Sequence, residues 1–336
     1  MAGVQDHRLV VAVSNAGGLG SLPAAMLSLE VLKSELTQIS AQTERPYNVN
    51  FFCHTPPVFS EAREATWRIA LKPYYDELGL DVNNIPTGPG RAPFTAEAAD
   101  VLEAFKPPVV SFHFGLPAAY LLARVRGWGS KIIASATTVE EALWLEAQGV
   151  DAVIAQGLEA GGHRGHFLNI ESGHDLTKQL GTFALLPQIV QAVKVPVIAA
   201  GGIADAAGVK AAMALGAAAV QIGTAYMLCP EATTSALHRA ALKNLASQHT
   251  AYPAHTALTN LFTGRPARGI VNRLMRDLGP ISSLAPEFPL ATGGIAPLRS
   301  AAEKAGNTDF TPLWSGQNAT GCREMGAAEL THALMS

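Results

Sequence analysis

Short apolar runs rich in branched side chains recur through the first two thirds of this 336-residue chain, each followed by a stretch with helical spacing, and nothing else in it restricts the fold as strongly. The runs cover residues 49–52, 109–112, 131–134, 152–155, 197–199 and 219–222, with a further one around 19–22. Helical stretches between them include 8–15, 139–147, 183–193 and 206–215. Strands joined by helices run parallel, because each helix carries the chain back to the end of the sheet where the strand began. The fold class expected is α/β, a (β/α)8 TIM-type barrel, for which about 250 residues suffice. Seven strands are one short of closure, and the opening MAGVQDH looks like the loop that follows a first strand. We therefore expect strand one to be lacking. The valine-rich residues 9–13 are the competing candidate, which periodicity does not exclude.

The alternation stops near residue 230. Residues 233–247 and 266–278 have helical spacing, 279–297 are rich in Pro and Gly, and 327–335 are helical again. The organisation expected is a barrel over 1–229, a mainly helical lid over its mouth from 230–311, and a segment, 312–336, that returns to the barrel.

Composition excludes several classes. Charged residues make up 15% and the net charge is −3, which gives no electrostatic footprint for nucleic acid. No stretch approaches the roughly 18 apolar residues of a membrane span. The start lacks the basic and apolar regions of a signal peptide, so a cytoplasmic location is expected. Cys53, Cys229 and Cys322 are odd in number and form no CxxC pair, which argues against a disulfide framework or a zinc site. His7, His54, His113, His166 and His174 lack ligand spacing around a carboxylate cluster, so no metal is expected.

The run EAGGHRG, residues 159–165, follows one of the apolar strands. Gly161, Gly162 and Gly165 let the backbone take positive φ and approach a flat ligand closely. His163 is left facing the barrel mouth, where an imidazole can hold an anion or take a proton near neutral pH. Arg164 could add positive potential, although a loop arginine is more often a surface or salt-bridging residue. Gly201 and Gly202 end one strand, with Asp205 placed to cap the next helix, and Gly223 and Thr224 end the following strand. Loops after strands seven and eight of such barrels form the usual phosphate site. Gly17 to Gly20, GGLG, opens no helix after a strand and is read as a helix end and strand entry. Tyr226 could touch substrate, though packing is the commoner role there.

These motifs together resemble a known family. AVSNAGGLGSLP from Ala12, VNFF from Val49, ATTVEEA from Ala136, GVDAVIAQGLEAGGHRG from Gly149, PVIAAGGIAD from Pro196, QIGTAY from Gln221, FTGRPARGIVNR from Phe262 and WSGQNA from Trp314 look like the bacterial nitronate monooxygenases, also called 2-nitropropane dioxygenases. The resemblance runs to about Ala319. It implies an FMN-dependent oxidoreductase that oxidises alkyl nitronates with O2 to a carbonyl compound and nitrite. It places the catalytic histidine at His163, flavin contacts at Met1, Asn50, Ser135 and Gln156, and phosphate contacts at Ala200, Gly202, Gly223 and Thr224. Gln317 is a further contact, and Gly162 and Gly201 complete the cofactor-facing set. The implied partners are a small-molecule nitronate and O2, and a homo-oligomer is compatible with the sequence. Family members usually carry an apolar strand ending in Ala-Pro before the residue matching Met1, which puts flavin affinity and barrel closure in question here. The same architecture serves flavin-dependent enoyl-thioester and quinone reductases that use NAD(P)H. The HRG continuation after Gly162 looks more like the monooxygenases. A flavin-free remnant that binds a partner is the non-enzymatic alternative.

Overall fold

The computed structural model describes residues 3–85, 91–168, 176–247 and 254–336. Its strands are β1 (Gly20–Pro23), β2 (Tyr47–Phe52), β3 (Val109–His113), β4 (Lys131–Ala136), β5 (Ala152–Gln156), β6 (Gly162–His163), β7 (Val197–Ala200), β8 (Ala219–Gln221), β9 (Thr256–Thr259) and β10 (Ala267–Ile270). The helices are α1 (His7–Asn15), α2 (Leu29–Gln42), α3 (Glu61–Glu77), α4 (Ala96–Phe105), α5 (Ala119–Gly127), α6 (Val139–Ala147), α7 (Thr182–Ala192), α8 (Ala206–Ala214), α9 (Ala236–Ser247), α10 (Arg273–Leu278), α11 (Ala291–Lys304) and α12 (Ala327–Met335). Among the described residues no helix is long and apolar enough to cross a membrane.

Seven parallel strands form one curled sheet in the order β1-β2-β3-β4-β5-β7-β8. Period-two alternation gives its two faces opposite characters. Leu22, Val49, Phe51, Val110, Phe112, Ile132, Val153 and Val197 point outward and are buried with Leu32, Leu36 and Ile39 of α2, Leu102 of α4, Leu145 of α6 and Ile189 of α7. Each such side chain contributes roughly 1.5–3 kcal/mol through burial, so this layer fixes the register. The inner face carries Asn48, Asn50, Ser111, His113, Ser135 and Gln156, above a small apolar floor of Ile133, Ile154 and Ile198.

Among the described residues β1 and β8 each pair on one side only. Ala219 and Gln221 of β8 are exposed, as expected of an unpaired edge. Residues 9–13 are not the closing strand. Asp6 caps α1 by accepting from the Arg8 backbone N–H, Val10 is buried in the core with Leu22 of β1 and Leu36 of α2, and Leu9 is buried on another side of the helix.

A second core lies apart from the sheet. Trp67, Leu71 and Tyr75 of α3, which arises within the β2–β3 connection, pack with Leu261, Phe262, Leu274, Met275, Ile295 and Leu298. The expected helix over 266–278 is half correct. Ala267–Ile270 is strand β10, the centre of an antiparallel sheet ordered β6-β10-β9, and only Arg273–Leu278 is helical. All four residues of β10 are buried, and pairing on both edges overrides the local periodicity. The Pro/Gly-rich 279–297 leads into α11, where Gly294 is required by close packing: a Cβ there would lie 2.8 Å from Leu71 Cδ1. Helix α12 packs on α1 and α8, with Leu330 and Leu334 against Leu9 and Ala225. Tyr226 is a packing residue, buried and hydrogen-bonded to Thr331 Oγ1 at 2.9 Å.

Candidate active site

Strand β5 ends at Gln156 and the chain then crosses from the curled sheet to the small one, because Gly162–His163 pairs with Ala267 and Arg268 of β10. The glycines of this crossing serve different ends. A Cβ on Gly161 would stand 2.5 Å from the Gly316 backbone nitrogen, so Gly161 admits the Ser315–Gly316 turn. Gly162 has φ +75°, which a side chain would strain. A Cβ on Gly165 would lie 2.7 Å from His113 Cε1, so its absence admits that imidazole.

His163 sits in an aromatic cage. Ring centroids lie 6.0 Å from Phe52, 6.0 Å from Phe114, 5.2 Å from Phe288 and 5.6 Å from Trp314. Its Nε2 is 3.0 Å from Thr263 Oγ1, and the Thr263 hydroxyl donates to the Arg265 carbonyl at 3.3 Å. That leaves the Thr263 oxygen to accept Nε2–H, and Nδ1 as the basic nitrogen of the ring. The His163 carbonyl accepts from Gln156 Nε2 at 2.9 Å and lies 3.1 Å from His113 Nε2. Phe114, at the cage wall, holds φ +70°, an outlier for a bulky residue.

Below the cage the inner face is polar. Ser111 donates to Asn50 Oδ1 at 2.8 Å, Asn48 donates to Ser111 and Ser21, and Ser135 Oγ meets His113 Nδ1 at 2.9 Å. Barrel interiors are ordinarily filled by branched aliphatic side chains. The substitution of amides and hydroxyls at the carboxyl ends of β2 to β5 makes a surface that can hydrogen-bond a flat heteroaromatic ligand.

The charge around the cage is positive. The Arg265 guanidinium lies 4.1 Å over the Phe114 ring, donates to the His166 carbonyl, and is buried with its Nε lacking a partner among the described residues. Arg91 stands 5.9 Å from the Phe288 centroid and donates to Thr292. Neither arginine has an ion-pair partner among the described residues. Burial, then the Arg265 charge, pushes His54 down to about 4, and burial with Arg265 pushes His113 down to about 3. Burial, then Arg91, holds His163 well below the usual histidine range, so all three rings are neutral at pH 7.

The two glycine turns lie side by side, since Ala200 pairs with Gln221. Gly201 and Gly202 have φ of +115° and +75°, and Asp205 caps α8 by accepting from Gly208 at 2.8 Å. Gly223 has φ −114° and opens a 3-10 turn, Thr224–Leu228. The N-terminus of α7 is already occupied by the Glu159 carboxylate, which accepts from Thr182 N at 2.8 Å. Thr224 Oγ1 accepts from Gly316 N at 2.9 Å, and Gln317 N donates to the Glu159 carbonyl at 2.9 Å while its side chain is exposed. The structure thus brings Asn50, Ser135, Gln156, Gly162 and His163 together, and Ala200, Gly201, Gly202, Gly223 and Thr224 beside them. Gln317 joins through its backbone. Met1 and His174 lie outside the described residues.

Sequence reasoning missed His113, Arg91, Thr263, Arg265 and the phenylalanine cage. The runs SFHFG and FTGRPARG contain most of them, and arginines inside apolar, glycine-rich runs are a usable signal. Arg164 is not a surface residue and forms no ion pair among the described residues. It is buried and donates to the carbonyls of Gly157 at 2.6 Å and Gln156 at 2.8 Å, clamping the start of the crossing.

A family model described as nitronate monooxygenase matches residues 1–336. The nitronate monooxygenase of Pseudomonas aeruginosa is 40% identical, over 100% of this chain and 93% of that protein. The crystal structure of nitroalkane oxidase from Streptomyces ansochromogenes superposes with a TM-score of 0.89 at 37% identity, covering 100% of this chain and 92% of the other. FabK from Thermotoga maritima, at 24% identity and a TM-score of 0.71 over 100% and 89% of the two chains, shares the fold.

Proposed function

This chain belongs to the nitronate monooxygenase family, and from that premise we propose that it oxidises alkyl nitronates with O2, using FMN bound on the polar inner face of the curled sheet. The residues present fit such a group. The amides and hydroxyls of Asn50, Ser135 and Gln156 suit the edge of a flavin ring, and the turns at Gly201–Gly202 and Gly223–Thr224 suit its phosphate. Bound there, FMN would supply the electron transfer that no side chain can provide.

The protein's own part is to hold the substrate and exclude water. The observation that carries the reading is a neutral histidine in an aromatic cage beside the buried Arg265 and the half-buried Arg91, neither of which has an acid partner among the described residues. Uncompensated buried charge of this kind is costly unless an anion completes the site. A nitronate is such an anion. His163 Nδ1 can accept a hydrogen bond from a bound acid or take the α-proton of a neutral nitroalkane. Phe52, Phe114, Phe288 and Trp314 wall the cage against water, which strengthens those interactions. We read residues 230–311, with α3, as the cover over this site.

Anaerobic mixing of the flavin-loaded protein with an alkyl nitronate, and separately with NADH, tests the proposal. Reduction of the flavin by nitronate alone is expected. Reduction by NADH and not by nitronate would place the chain with the reductases of this fold.

A further inference from the structure

His113 ends β3 on the inner face of the sheet, opposite Phe52, and touches two parts of the site. Its Nε2 lies 3.1 Å from the main-chain oxygen of His163, and its Nδ1 lies 2.9 Å from Ser135 Oγ. A carbonyl oxygen can only accept, so in a neutral ring Nε2 carries the proton and Nδ1 is the acceptor. The Ser135 hydroxyl must then donate to Nδ1. Its proton is committed away from the cavity, and only lone pairs remain to face a ligand. The ring is neutral because burial and the nearby Arg265 and Arg164 charges push it down to about 3. The placement is enforced by packing: Gly165 leaves the space that His113 fills, while Gln156 spans the same loop, donating to the His163 carbonyl at 2.9 Å and accepting from Gly165 N at 2.8 Å.

We infer that His113 is a positioning residue that, as the Nε2–H tautomer, pins the main chain of the His163 loop and turns the Ser135 oxygen into a pure acceptor, so that this point of the site selects an N–H group on the bound ring. The part concerning the ring rests on the FMN reading. The part concerning the tautomer does not. It explains why a histidine stands at the end of β3, where Asn or Gln would satisfy one neighbour and abandon the other.

Two variants separate the halves. Asn places its amide oxygen near the position of Nδ1, so His113→Asn keeps the acceptor for Ser135 and loses the donor to His163. Gln places its amide nitrogen near Nε2, so His113→Gln keeps that donor and frees the Ser135 proton. For His113→Asn we expect FMN affinity, measured by fluorescence quenching on titrating the flavin-free protein, to stay within about twofold while kcat falls about tenfold, the scale of one lost hydrogen bond. His113→Gln should show the converse: FMN affinity about tenfold weaker and a shifted flavin potential, with kcat of the loaded enzyme within about threefold. Equal losses in both readouts from both variants, or none, would overturn the inference. The imidazole nitrogen chemical shifts of His113 in the flavin-free protein give a test that survives failure of the FMN reading. An Nε2–H tautomer with no titration down to pH 5 is expected, and an Nδ1–H tautomer or a protonated ring at pH 6 would overturn the assignment.

Discussion

On the reading proposed here, Arg265, with a buried and incompletely satisfied guanidinium, is the group placed to hold a small anion, while the Nδ1 lone pair of His163 in the cage is placed to take a proton. If Nδ1 is the base, His163→Asn should retain FMN but lose about 10²- to 10⁴-fold in turnover of neutral nitroalkanes, the usual range for a missing general base. Steady-state rates with preformed nitronate should fall less, because no proton is removed; equal losses on both substrates would leave orientation as its only role. Arg265→Met keeps most of the side-chain volume and removes the charge. Its KM for nitronate should rise about tenfold or more, as for a lost charge-assisted contact, with little change in kcat. An unchanged KM would separate Arg265 from the anion. His163 was legible in the sequence because its loop is local and glycine-marked. The cage was not, because Phe52, Phe114, Phe288 and Trp314 come from stretches far apart in the sequence that only the fold brings together.

The strands of the curled sheet were legible almost to the residue, since each is a branched apolar run bounded by a turn, and burial on the helix side admits one register. Strand β10 was not. One of its two pairing partners, β6, lies about a hundred residues earlier, and no local pattern announces that pairing. Nor did the sequence reading reach α3, which lies within the β2–β3 connection and supplies Trp67 and Leu71 to the second core. The turn after β8 offers the cleanest test at this scale. Gly223 has φ −114°, which any residue adopts, so Gly223→Val should fold and add its side chain where we place the phosphate. Loss of bound FMN with an unchanged far-ultraviolet circular dichroism spectrum is the expected result, and normal flavin content would refute the placement.

Across the whole molecule, neutral histidines buried beside arginines couple stability to pH. His54 and His238 are both held down to about 4, chiefly by burial, whereas in the unfolded chain they titrate near 6.5. Between these values the unfolded state binds more protons than the native one, so stability rises with pH across that window. It should be fully present above about pH 6.5 and decline, by at most about 1.4 kcal/mol per pH unit for each such group, as pH falls toward 4. Thermal melts should show Tm dropping over this range in wild type and dropping less in His238→Gln; a flat profile would mean that these rings are charged in the native protein. The same cluster of charge, with a polar inner face and two glycine turns, underlies the central claim that FMN lies on the sheet beneath His163. A crystal structure of the protein loaded with FMN tests it most directly. The account predicts the phosphate against the backbone of Gly202, Gly223 and Thr224, with the ring over Asn50, Ser135 and Gln156. Flavin density anywhere else, or a polar inner face that stays filled by water at saturating FMN, would contradict it.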